Sequence, residues 1–276
     1  VLTTTAATVS NGGGQFNGTV TVGVNDTGYD VKFFGATASR HMTWDESADS
    51  LIISGDLDVN DGTIKLDGNY PTGTSNVALG DTALDSVSST GNWNVAIGDK
   101  ALTSNTTGDG NVGIGREALT AQTTALYNTA VGFQAGYATT TGGSNVAIGA
   151  ESLETNTTGI SNVAIGRQAL RFNTTASNNT AVGFQSLYDN TTGTENVAVG
   201  RLALNQATTA SYNTAIGTNA LQDNTTGDNN TALGRSALTN NTTAANNTAV
   251  GYKAGVAVTT GDNNTAVGSQ ALDANT

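Results

Sequence analysis

Asn128-Thr129-Ala130-Val131-Gly132 is one instance of a five-residue phrase, Asn-[Val/Thr]-[Ala/Gly]-[Val/Ile/Leu]-Gly, that occurs twelve times between Asn76 and the end of the chain. The phrase closes on Gly80, Gly98, Gly115, Gly132, Gly149, Gly166, Gly183, Gly200, Gly217, Gly234, Gly251 and Gly268. The first interval is 18 residues and the ten that follow are 17 each. A period held so tightly makes each repeat one rung stacked on a neighbour of the same shape, as in solenoids and fibres. Such a rod has length and surface but seldom an enclosed pocket, so the chain reads first as a structural or adhesive filament.

Counting the asparagine as position one, rungs begin at Asn94, Asn111, Asn128, Asn145 and so on. Position three is Ala in eleven rungs, Ala96 among them, and Gly113 in the other; position four is always Val, Ile or Leu. Neighbouring residues of a strand face opposite sides, so these restrictions describe two faces. The aliphatic face is expected to fill the coil, and the Ala face to meet a second chain closely around a three-fold axis. The residues alone leave the reverse assignment open. Position eight is Ala or Ser, and position nine is Leu in ten rungs, with Gly136 and Gly255 as exceptions. Positions thirteen and fourteen are Thr-Thr in ten consecutive rungs, followed by Gly or Ala. Thr favours extended backbone and Gly allows a corner, so each rung is expected to hold two short strands and two turns. At about 4.8 Å per rung, twelve rungs span roughly 55 Å.

The fold class expected is therefore all-β: a repetitive β-solenoid, either β-roll or β-helix, of 17-residue rungs over residues 76–276, associating as a coaxial homotrimer. Residues 1–75 lie outside the repeat and form a small N-terminal β module with a Thr-, Ala- and Gly-rich lead-in. Strand patterns there are Thr19–Val24, Asp30–Gly35, His41–Asp45, Ser50–Ser54, Gly55–Val59 and Thr63–Leu66, and Pro71 marks the joint to the rod. The chain starts at Val1 and stops at Thr276 partway through a repeat, which reads as a processed, truncated or partial chain.

Composition narrows the function. Twenty-two acids against ten bases give a net charge of −12, which argues against nucleic acid or an anionic membrane as partner. There are no cysteines, and no signal peptide or membrane-spanning apolar run is visible. The recurrent Asn, with Ala96 and the glycines Gly98, Gly115, Gly132 and Gly149, reads as structural repeat, since stacked Asn bond along a ladder and cap turns. Asn105-Thr106-Thr107 and Asn224-Thr225-Thr226 match the glycosylation sequon by composition. The acids Asp45, Glu46, Asp49, Asp56, Asp58, Asp61 and Asp67 lack a calcium-loop pattern, and His41, the sole histidine, has no partners for a zinc site or a triad. Glu117, Glu151, Glu154, Asp189 and Glu195 are scattered rather than paired for glycoside hydrolysis. No enzyme activity, cofactor or metal is expected. Adjacent Thr side chains point oppositely, giving one outward row rather than the two of a flat ice-binding face. The variable positions Phe133, Arg167, Phe184, Arg201 and Tyr252 are candidates for receptor contact or for an intersubunit face.

Two resemblances follow from these residues. Val22 to Thr37, with Trp44-Asp45-Glu46-Ser47-Ala48-Asp49, resembles a segment of tail-fibre and other virion structural proteins of marine bacteriophages. The rung Asn128 to Gly136, and Asn145 to Gly149, resembles phage-fibre rungs and is similar to the head repeats of trimeric autotransporter adhesins, which are trimers of left-handed parallel β-rolls. These resemblances imply a trimeric, surface-displayed protein of the virion tail fibre that attaches to a host glycan or protein. Its other partners would be virion tail proteins, with no membrane insertion. The alternative they allow is a bacterial surface adhesin; a polysaccharide depolymerase would need acids converging in a groove between chains.

Overall fold

A computed structural model describes residues 73–274, together with the backbone of three strands nearer the N-terminus. The chain divides into two units, Val1–Lys65 and Leu66–Thr276. In the first, β1 (Val31–Phe34), β2 (His41–Asp45) and β3 (Ser50–Ser54) form an antiparallel sheet in the order β1-β2-β3. These strands fall where alternation in the sequence places them. The other three expected N-terminal strands, and Glu46, Asp49, Asp56, Asp58, Asp61 and Asp67 of the acidic group, lie outside the described residues.

The second unit is a β-solenoid. Twelve three-residue strands, from β4 (Val77–Leu79) and β5 (Val95–Ile97) to β15 (Thr265–Val267), make one parallel sheet in strict chain order. The register never slips: Ala181 lies beside Ala164 and Ala198, and Val182 beside Ile165 and Val199. Each rung contributes one strand, not two. The Thr-Thr segment is a bend whose position-thirteen N–H and hydroxyl both donate to the Thr carbonyl one rung on, as Thr157 does to Thr174. Its next carbonyl, at position fifteen, is occupied by asparagine side chains, so no continuous ladder can form there.

Burial reverses the expected assignment of faces. Ala164 is 0% exposed whereas Ile165 is 37% exposed, and this pattern repeats along the sheet. The Ala column points into the coil and the aliphatic column points out. Position eight and the leucines of position nine complete the interior, as Ala169 and Leu170 do. The coil is narrow because the chain turns through left-handed backbone at positions seven, nine and seventeen. Leu170, at φ 52°, holds a conformation that costs an L-residue about 1–2 kcal/mol. Its complete burial returns about 1.5–3 kcal/mol. Gly136 and Gly255, at φ 62° and 64°, adopt the same backbone without the strain and without the core side chain. Leu or Gly at position nine is thus one conformational requirement met in two ways.

Two columns of buried asparagine join the rungs. At all eleven steps from Asn94 to Asn264, the backbone N–H of position one donates to the Oδ1 of the preceding Asn, at 2.8–3.0 Å. The Nδ2 of the same residue closes its own rung, as Asn162 does on the carbonyl of Ala176. A second column at position twelve includes Asn156, Asn173 and Asn190, in which the Nδ2 of Asn173 and of Asn190 reaches the Oδ1 one rung back. Ala207 interrupts that column, and Asn190 Oδ1 is buried without a hydrogen-bond partner.

Two outcomes follow for stability. Asn162→Ala strands the buried amide of Asn179, at about 1–3 kcal/mol, while the carbonyl of Ala176 keeps the Nδ2 of Asn173; the exposed Asn240→Ala, in right-handed or extended backbone, changes little, and chemical denaturation of the two variants measures the difference. Ala207→Asn supplies the missing donor to Asn190 Oδ1 and should raise stability by about 1 kcal/mol, with a higher denaturation midpoint as the readout.

Candidate functional site

With the interior filled by Ala, Leu and Asn, the functional candidates are surfaces. The outer face of the twelve-stranded sheet carries positions two and four, Val or Thr beside Val, Ile or Leu. Leu79, Ile148, Ile165, Ile216, Leu233 and Val267 on it are exposed, and the position-four residues between them are half-buried. Strand spacing and rise make this stripe roughly 55 Å by 10 Å, on the order of 500 Å². That is at the upper end of what monomeric proteins leave uncovered.

Two corners flank the stripe. The one after the strand begins at position six, where Phe133, Arg167, Phe184, Arg201 and Tyr252 all stand exposed in a single column. Sequence reasoning grouped these residues by variability; the structure places them on one edge. Arg116 lies over the Phe133 ring at 5.6 Å, and Arg235 over the Tyr252 ring at 5.5 Å. Beside them at position seven, Gln134 donates to Glu117 at 2.7 Å, and this bond leads the causes that hold the Glu117 carboxyl below its ordinary range. Gln168 repeats the contact with Glu151.

The corner before the strand holds positions sixteen and seventeen. Trp93, Tyr127 and Tyr212 occupy position seventeen in left-handed backbone, and Tyr127 is 62% exposed. Bulky residues seldom hold that conformation on a solvated surface, a signal the sequence gives only once the corner is located. Gly143, between Leu126 and Ile160 at position sixteen, leaves an open notch of about 430 Å³ lined also by Tyr127, Ser144 and Ser161. Asp109, Asp228 and Asp262 stand on this corner, and each accepts the backbone N–H of the rung before it.

Elsewhere the charges serve the stack. Arg171 bonds Glu154 and reaches Glu151 at 3.1 Å, linking neighbouring rungs. Burial opposes its charge, but the hydrogen bonds to Glu154 and Tyr188 raise its pKa overall. Asp189 is raised by burial alone. Among the described residues no group of three or more His, Cys, Asp or Glu is placed to hold a metal ion, and no helix is long and apolar enough to cross a membrane. Asn105 and Asn224, the sequon asparagines, are wholly buried and closed to modification in the folded rod. The position-fourteen threonines form one exposed row, while those of position thirteen are mostly half-buried.

The structure places Asn94, Asn111, Asn128 and Asn145 in the internal ladder and Ala96 in the core. Gly98, Gly115, Gly132 and Gly149 stand at the corner after the strand, where a Cβ on Gly132 would come within 2.7 Å of the Gly149 backbone. The position-twelve asparagines were not singled out from the sequence because their Asn-Thr-Thr context reads as a sequon. No protein-family model, no curated protein and no solved structure matches the chain.

Proposed function

We propose that this chain is a structural and adhesive fibre protein of a bacteriophage virion, a tail fibre in which three copies lie coaxially and mediate or space attachment to the host surface. The observation that carries the reading is the outward aliphatic stripe along the rod. Burying it requires a partner as long and as regular as the rod itself, and another copy of the chain meets that requirement. The interface is the aliphatic face rather than the Ala face that sequence reasoning favoured, because the Ala column is consumed by the coil's own interior.

In this reading the protein acts by binding and not by catalysis. The N-terminal unit lies nearer the particle, in contact with other tail proteins, and the rod carries contact with a host glycan or protein outward. Repetition along the fibre and around its axis makes weak contacts collectively strong. The acidic balance of the chain disfavours nucleic acid as a partner.

Antibody raised against the whole chain should decorate filaments projecting from particles purified from lysates of the source culture, seen by immunogold electron microscopy. Label confined to a bacterial envelope would overturn the virion assignment and make the chain a surface adhesin.

A further inference from the structure

We infer that neighbouring copies lie parallel and level, rung against rung, with the corner before the strand in one copy meeting the corner after the strand in the next. This rests on the reading of the aliphatic stripe as a self-interface and adds the geometry of the assembly and the residues that set it. The stripe, at on the order of 500 Å², falls short of the roughly 800 Å² that each partner of a stable interface buries. The flanking corners must therefore take part.

Their chemistry is complementary rung by rung. Asp109 and Arg116 flank the same strand, as do Glu195 and Arg201, and Asp228 and Arg235. Three of the four position-six arginines thus share a rung with an acid at position sixteen or seventeen; Arg167, level with Ile160 and Ser161, is the exception. On the rung of Asn128 the match is apolar, Leu126 and Tyr127 against Phe133, all exposed. Within one chain these partners stand on opposite sides of the strand. Among the described residues the ion pairs are those of Arg116 with Asp99 and Glu117 and of Arg171 with Glu151 and Glu154, so Glu195, Arg201, Asp228 and Arg235 form none with another described residue.

Symmetry turns this pattern into a prediction of packing. Rotation about an axis parallel to the rod keeps every rung at its own height, so same-rung partners meet, acid to base, in a closed ring of unlike surfaces. Turning the second copy end over end against the stripe would set like corner on like corner and pair rungs from opposite ends. Exposed ion pairs contribute little affinity; here they fix orientation and register, while the stripe supplies the attraction.

The test is charge exchange in the full chain at the Glu195–Arg201 pair, where both side chains are exposed and neither bonds its own rod. Arg201→Glu and Glu195→Arg each bring like charges together and should raise the concentration at which the assembly dissociates by about tenfold or more, measured by sedimentation equilibrium. The double variant restores unlike charges and should recover the original value, with circular dichroism confirming an intact rod throughout. An oligomer indifferent to the single reversals, or a double variant as weak as the singles combined, overturns the parallel register alone. A folded wild-type chain that stays monomeric at every concentration overturns the self-interface as well.

Discussion

A parallel stack of short rungs must find a hydrogen-bond partner for every buried amide where the chain turns, and here buried asparagine side chains meet that need. A three-residue strand satisfies few backbone groups, and the corners on either side of it would otherwise orphan several. Position one accepts from the rung ahead through Oδ1 and closes its own rung through Nδ2, as Asn162 does with Asn179 and Ala176. Buried polar groups are costly only when unpaired, so a column in which each Oδ1 from Asn76 to Asn247 accepts the next rung's amide holds the rungs in one register, the Nδ2 of Asn247 being its one buried group without a partner. The 18-residue first rung keeps the same bond, from the Asn94 amide to Asn76 Oδ1 at 2.8 Å, so the ladder accepts one extra residue at the end of the stack, and ten successive intervals of 17 residues follow it.

The ladder also dictates what else the interior holds. Two asparagine columns and the left-handed corners leave a lumen filled by Ala at positions three and eight and by one Leu. The larger Val, Ile and Leu side chains of position four are displaced to the outside. The surface proposed to assemble is thus a consequence of how the coil is closed: a narrower inside puts the apolar side chains on the outer face of the sheet. The corners, free of core duties, carry the charge and the aromatics that distinguish one rung from the next.

Much of this was legible in the sequence. The 17-residue period, the sheet of stacked rungs, the asparagine ladder and the single outward row of threonine all follow from spacing and residue type. The direction of the strand did not, because positions three and four are both restricted and restriction alone does not say which face is crowded. The deciding feature is left-handed backbone beneath Leu170 and its equivalents, and leucine is among the last residues to announce that conformation. The absent second strand has a related cause: Thr157 and its counterparts do bond between rungs, but the next carbonyl is taken by asparagine. The placement of Glu195 and Arg201 at the two edges of one strand was invisible until the strand's outer face was known, since only then do positions seventeen and six become those edges.

The account turns on whether the aliphatic stripe is covered by other copies of the chain, and the absolute mass of the 276-residue chain in solution, by light scattering, addresses that most directly. A folded species at three times the 27.7 kDa of one chain is the predicted result. A folded rod of 27.7 kDa that persists at high concentration would show that the stripe can stay in water, and would contradict the claim.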